Sequence, residues 1–229
     1  MRRNAPTILA LLLIVATATA FAVTQRLKLE PSPISQTRVS DTFSPVCRCP
    51  SRAATIEFSL RKADHLRIAV RTLSGDVTVG EGSFASGDVR ARWDGRDTSG
   101  ELVPDGIYYP VVRLDRAGRT IDLPNPIRVD TIKPSIKFTS LRPRAFQPGT
   151  EKLKVTYTVS EHAHALLFVD GRRRVVTYGT RLRGRLEWYG KVGGHVIGPG
   201  RHKLRLVAED LAGNRSAPTP VVFVRARRP

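Results

Sequence analysis

Chemistry-bearing residues are scarce in this chain of 229 residues, which holds two Cys, five His and one Met. Two cysteines cannot build a disulfide framework. The pair Cys47 and Cys49, in SPVCRCP, has no histidine nearby in sequence to complete a four-ligand zinc site. There is no G-x-S-x-G, no H-E-x-x-H and no phosphate-cradling glycine loop, so the common signatures of acyl transfer, zinc proteolysis and nucleotide binding are missing. No uncharged apolar stretch of spanning length follows residue 23, which excludes a second helical membrane span. Aromatic residues make up only 7% of the chain, and Tyr178, Trp188 and Tyr189 supply the aromatic interleaving among the basic strings. That is too sparse for a base-stacking platform, and nucleic acid is not an expected partner.

Acidic residues are also few, 20 against 38 Lys+Arg, for a formal net charge of +18. The imbalance is local. Residues 51–132 carry 12 Lys+Arg and 12 Asp+Glu, whereas residues 133–229 carry 20 and 6, a net of +14. A basic surface is either an ordinary solvated one or a salt-sensitive attractor of anionic lipid, acidic polymer or nucleic acid. The basic strings contribute Arg172, Arg173 and Arg174, then Arg181, Arg183 and Arg185, then Arg201, Lys203 and Arg205. On alternating strands each of the last two trios shares a face, and two such rows on adjacent strands would make one positive surface. These nine residues are the candidate binding site for an anionic polymer.

At the N-terminus, Arg2 and Arg3 precede an uncharged run from Ala5 to Val23. This matches a secretory signal, with small-x-small steps at Ala18-Thr19-Ala20 and Ala20-Phe21-Ala22, and is also close to the ~20 residues of a membrane anchor. Residues 1–23 are read as a signal peptide or an apolar anchoring helix, which places the remainder outside the cytoplasm, membrane-anchored or secreted after cleavage. In an oxidising compartment Cys47 and Cys49 pair with each other or with another molecule. Residues 24–52, rich in Pro, Ser and Thr, read as a flexible stalk.

Strand periodicity begins at Ile56, Phe58 and Leu60, continues at Leu66, Ile68 and Val70, and returns at Leu153, Val155, Tyr157 and Val159. The chain also repeats itself. Residues 92–119 align without a gap on residues 187–214 at an offset of 95: Trp93 on Trp188, Gly95 on Gly190, Pro104 on Pro199, Asp115 on Asp210, Ala117 on Ala212 and Gly118 on Gly213. Upstream, Phe58 meets Tyr157 at an offset of 99, so one loop differs by four residues. Two copies of one supersecondary unit follow. Each Trp is expected to plug a sandwich where its sheets meet, the D-x-A-G strings to make tight turns, and Pro110 to mark an edge strand or a bulge. DLPNPIRVDTIKPSIKF, from residue 122, reads as a stiff connector with a boundary near Lys133.

The string WDGRDTSGELVPDGIYY resembles the Ig-like module of the flagellar hook-capping protein (the FlgD-type family), on Trp93, Asp94, Gly95, Asp97, Gly100, Pro104, Gly106 and Tyr108. The second copy keeps Trp188, Gly190, Pro199 and Gly200 but loses the acidic loop. The resemblance implies an antiparallel β-sandwich without an active site of its own. Nothing matches the hook-binding part of that protein.

The expected architecture is all-β: two tandem Ig-like antiparallel β-sandwich domains, at 53–130 and 133–229, after the apolar helix and the stalk. Asp94 and Asp97 read as turn caps rather than calcium ligands, and His162 and His164 as structural rather than metal-binding. No catalytic residue, cofactor or metal is assigned. The expected role is a non-catalytic envelope scaffold, with an anionic wall polymer or lipid head groups as the alternative ligand of the basic domain, and an accessory of an enzyme system as a further alternative. The expected partners are the membrane, through the N-terminal segment, and an acidic envelope polymer or another envelope protein.

Overall fold

The computed structural model describes residues 11–21 and 31–228. The expected signal or anchor therefore lies partly outside the described residues; within them, residues 11–21 form an exposed helix. Among the described residues no helix is long and apolar enough to cross a membrane.

The other described residues form strands, turns and loops. The first half contains β1 (Ile34–Val39), β2 (Thr42–Phe43), β3 (Ala54–Leu60), β4 (Asp64–Thr72), β5 (Gly75–Phe84), β6 (Gly87–Trp93), β7 (Gly106–Leu114), β8 (Arg119–Asp122) and β9 (Ile127–Val129). The second contains β10 (Ile136–Arg142), β11 (Ala145–Phe146), β12 (Leu153–Val159), β13 (Ala163–Val169), β14 (Arg172–Val176), β15 (Arg183–Trp188), β16 (Lys191–Val192), β17 (His195–Val196), β18 (Gly200–Asp210) and β19 (Val222–Ala226). A three-stranded sheet β1-β3-β6 faces β2-β9-β7-β4-β5, to which β8 adds by pairing with β7. The same order recurs as β10-β12-β15 facing β11-β19-β18-β13-β14. The repeat inferred from sequence is thus a repeat of topology, down to the parallel pairings β2 with β9 and β11 with β19.

Alternation builds the cores. Ile56, Phe58 and Leu60 on β3 meet Leu66, Ile68 and Val112 from the facing sheet in one apolar cluster, and Val155, Tyr157, Leu167, Leu204 and Leu206 meet in a second. The stalk reading of residues 24–52 is corrected over 34–43. Ile34 on β1 and Phe43 on β2 are buried in the first cluster, and β1 pairs antiparallel with β3. Their Ser- and Thr-rich surroundings hid them, because β1 offers the core little more than one end residue. The connector is corrected too: Leu123, Ile127 and Val129 are core residues, and β9 closes the sheet against β7.

The gapless alignment also needs correction. Ile68 pairs with Val112 and Leu167 with Leu206, so Val112 corresponds to Leu206, an offset of 94. The second copy lacks a residue after the proline (Pro104-Asp105-Gly106 against Pro199-Gly200) and regains one before Asp210. A one-residue slip exchanges the faces of a strand, so the offset of 95 would have matched the buried Tyr108 with the exposed Lys203. The conserved offset at the turns is real: Gly118 N donates to Asp115 O at 3.2 Å, and Gly213 N to Asp210 O at 3.3 Å.

Each half is closed by one aromatic latch. Trp93 and Trp188 are buried, and each indole N–H donates to the carbonyl three residues on, Arg96 O at 2.9 Å and Lys191 O at 3.0 Å. Trp93 packs edge-on against Phe43, its ring centroid 5.6 Å away, and Trp188 packs at a tilt against Phe146 at 6.2 Å. Two residues after each Trp, Gly95 and Gly190 adopt φ of +80° and +72°; a Cβ would be tight against Phe43 and Pro45 at 3.2 Å in the first, and would collide with Pro148 at 2.8 Å in the second. A second shared motif, Phe-x-Pro at 43–45 and 146–148, therefore belongs to the repeat. Pro110 is neither on an edge strand nor at a bulge. Its carbonyl accepts from Leu123 N at 2.9 Å, so its missing N–H faces the step on one flank of β7 between β9, paired through Tyr108, and β8, paired from Val111.

Two stability tests follow. Gly190→Ala places a Cβ 2.8 Å from the Pro148 Cβ in a left-handed backbone, whereas Gly118→Ala meets open space at φ +59°. Urea denaturation should show the first costing about 2–3 kcal/mol and the second about 1 kcal/mol. A chain beginning at residue 53 loses Ile34 and Phe43, and its Trp93 fluorescence should unfold at lower urea than in a chain beginning at residue 31.

Candidate functional site

The nine basic residues singled out by the sequence do not converge. Arg172, Arg173 and Arg174 lie on β14, the edge of the five-stranded sheet, where cations also guard an open edge against strand addition. Arg183 and Arg185 lie on β15 in the three-stranded sheet, and Arg181 precedes it; all three are exposed. Arg201, Lys203 and Arg205 lie on β18 in the other sheet. The expectation that the two rows occupy adjacent strands is corrected, because the sandwich assigns them to different sheets. Arg185 is also committed to Glu187 at 3.2 Å, which in turn holds Lys152 at 2.7 Å.

The β18 row has the more developed surroundings. Leu204, Leu206 and Ala208 point into the core, so Arg201, Lys203 and Arg205 point out. Across the sheet Arg201 stands opposite Arg225, Lys203 opposite Phe223, and Arg205 opposite Phe168, which stands opposite Arg173. The Arg201 guanidinium carbon lies 3.5 Å from the Phe223 ring centroid. Phe168, Phe223, Lys203 and Arg205 line a groove of about 920 Å³, bordered by Asp170-Gly171 on one side and by the stretch from Arg215 to Val221 on the other. That stretch is held to β18 by Ser216 and Thr219, whose hydroxyls accept from Ala208 N at 2.9 Å and Leu206 N at 3.0 Å, where the first half uses β8. Phe168 and Phe223 were not legible as partners of the basic row, since only the sheet brings positions 168, 205 and 223 together.

The first half treats the same face differently. By the pairing of the strands, Ile107, Tyr109 and Val111 occupy the positions of Arg201, Lys203 and Arg205. Its cations on β4 are neutralised across strands, Arg67 by Glu81 at 2.9 Å and Arg71 by Asp122 at 3.1 Å. Among the described residues, the side chains of Lys203 and Arg205 make no ion pair.

The remaining polar candidates serve the backbone. Asp97 accepts from the Ser99 hydroxyl at 2.6 Å and from the N–H groups of Ser99 and Glu101, and the hydroxyl above all holds its carboxyl below the ordinary range. Asp94 accepts from Arg96 N at 3.2 Å. His162 and His164 lie 3.1 and 2.9 Å through Nδ1 from the carbonyls of Thr180 and Thr177. Cys47 and Cys49 are joined by a disulfide, and Cys49 packs on the turn at Gly213, beside Ser51, whose hydroxyl donates to Ala212 O at 3.4 Å.

One constellation escaped the sequence because it joins the end of the first copy to two distant positions of the second. Asp130, Glu161 and Asp210 bring carboxylate oxygens within 4.8 Å of one another. Asp210 is satisfied by Asn214, whose N and Nδ2 donate at 2.8 and 2.9 Å, and Asn214 Nδ2 also donates to Asp130 O at 2.9 Å. Burial lifts the Glu161 carboxyl above the ordinary glutamate range, and the charges of Asp130 and Asp210 lift it further against the pull of Arg128.

No family model matches the chain, and no curated protein matches it. Among solved structures it is similar to the fibronectin(III)-like modules of Clostridium thermocellum CbhA, at 19% identity and a TM-score of 0.48, over 85% of this chain and 93% of that one. It is also similar to a bacterial ice-binding adhesin concerned with host cell surface retention, at 13% identity and 0.32, over 87% and 66%. A tetra-tandem repeat from the extending region of a large adhesion protein matches at 14% and 0.30, over 84% and 50%.

A carboxyl whose pKa is raised on folding binds more protons folded than unfolded, so stability falls as pH rises through and above the ordinary glutamate value of about 4.3. Glu161→Gln should therefore stabilise the protein at pH 7 and make little difference below pH ~4. Parallel thermal melts at the two pH values check this, and equal effects at both would contradict it.

Proposed function

We propose that this chain is a non-catalytic envelope protein, a structural and interaction scaffold of two tandem Ig-like modules of the FlgD type. The modules run from about Ile34 to Asp130 and from Lys133 onward. The apolar N-terminal segment tethers the protein to the membrane on its extracytoplasmic face, or directs its secretion. The observation that carries this reading is the duplicated sandwich itself, in which Asp97, His162, His164 and Asp210 are each spent on capping or joining the backbone while the cations of β18 are left facing solvent. The Cys47–Cys49 disulfide supports an oxidising compartment. A second reading, in which the basic module holds an anionic wall polymer or lipid head groups, is favoured by the unpaired Lys203 and Arg205.

Co-sedimentation of residues 31–229 with isolated envelopes across a salt series separates the two. The scaffold reading expects binding that is lost when the envelopes are first treated with protease. Binding that survives protease and fades with salt would favour the polymer or lipid, and no binding at all would sink the interaction part of the scaffold reading and leave the N-terminal segment as the tether.

A further inference from the structure

We propose that the groove on the outer face of β13, β18 and β19 docks an extended acidic peptide segment of a partner protein, with carboxylates on Lys203 and Arg205 and apolar side chains on Phe168 and Phe223. This deepens the scaffold reading and rests on it.

Charge complementarity is the first argument. Lys203 and Arg205 stand in the centre of the sheet, opposite Phe223 and Phe168, and neither has an ion-pair partner among the described residues. Arg173, opposite Phe168 on the other side, extends the positive field to the sheet edge. The first half is an internal control for the fold. The same strand positions there are Ile107, Tyr109 and Val111, so a sandwich of this topology has no need of cations at this place. On β4 of that half, acidic side chains of neighbouring strands neutralise the outward cations, Arg67 by Glu81 and Arg71 by Asp122. In the second copy Lys203 and Arg205 stand there without ion-pair partners among the described residues, whereas Arg215 and Asp170, which also line the groove, are paired with Glu209 and His202.

Shape and floor choose among anions. A bilayer is planar and meets convex surfaces, whereas this site is concave, with the Asp170-Gly171 turn on one side and the stretch from Arg215 to Val221 on the other. A wholly hydrophilic polyanion would leave the apolar floor wet. Phe223 is 37% exposed, and Val207, Val221 and Phe168 line the same groove. A peptide mixing acidic and apolar residues satisfies both parts at once.

The test is fluorescence anisotropy of a short labelled peptide of mixed Glu and Leu residues titrated with the full-length chain. Binding should weaken with salt and fall at least ~10-fold in the double variant Lys203→Glu, Arg205→Glu. Val221→Ser should weaken it in the same direction, and Arg183→Glu, on the other sheet, should leave it unchanged. Thermal melts of the double variant should overlay the parent, since both side chains are exposed. The proposal is overturned if the double variant binds normally, or if the Gln counterpart of the peptide binds equally well. It is also overturned if polyglutamate or phosphatidylglycerol vesicles compete as effectively as the mixed peptide, which would mean that the face reads charge alone. Protease-sensitive envelope binding that persists in the double variant, with the peptide unbound, would remove the groove and leave the scaffold reading standing.

Discussion

The contact between a tryptophan and a phenylalanine closes each half of this molecule, and the rest of the architecture is arranged around it. Trp93 and Trp188 end the third strand of their small sheets, while Phe43 and Phe146 arrive from short strands in the opposite sheets. One aromatic pair therefore ties the two layers together at the same corner in both copies. The indole N–H cannot be buried without a partner, and the loop after each Trp turns back to offer a carbonyl. That return requires a left-handed residue next to the phenylalanine and its proline, which only glycine supplies without collision. Trp, Gly, Phe and Pro thus form a single interdependent device.

Much of this was visible in the residues. Alternation at Ile56-Phe58-Leu60 and at Val155-Tyr157-Val159 marked strands correctly because one face of each is buried and the other is not. The tryptophans and the D-x-A-G turns marked the duplication. What escaped was whatever depends on pairing rather than pattern. β1 and β2 are too short and polar to announce themselves, though Phe-x-Pro at 43 and 146 was a readable second signature. The compensating one-residue differences after Pro104 and before Asp210 cancel in an alignment but invert a strand between them. The division of the basic rows between two sheets, and the meeting of Phe168, Arg205 and Phe223, exist only once the sandwich is closed.

The two copies have kept a scaffold and diverged on its outer face. Cross-strand pairs such as Arg67 with Glu81 are exposed and contribute little to stability, so the lack of such a partner at Lys203 and Arg205 is not a structural loss. Their effect is on the field: a neutral surface in the first half, a positive one in the second. Surface charge can differ between two sandwiches of one strand order where the core cannot.

The parallel pairings at the ends of each half have a mechanical meaning. β2 lies alongside β9, and β11 alongside β19, so the second and last strands of each copy run in the same direction, side by side. A tension applied between the N-terminal and C-terminal ends of the chain drags such neighbours in opposite directions along their length. Their hydrogen bonds are then strained together rather than opened one after another, and resistance to pulling is set by a rate of rupture more than by equilibrium stability. A protein held at one end and gripped at the other would meet that tension at Phe43 and Phe146, where its aromatic corners already sit.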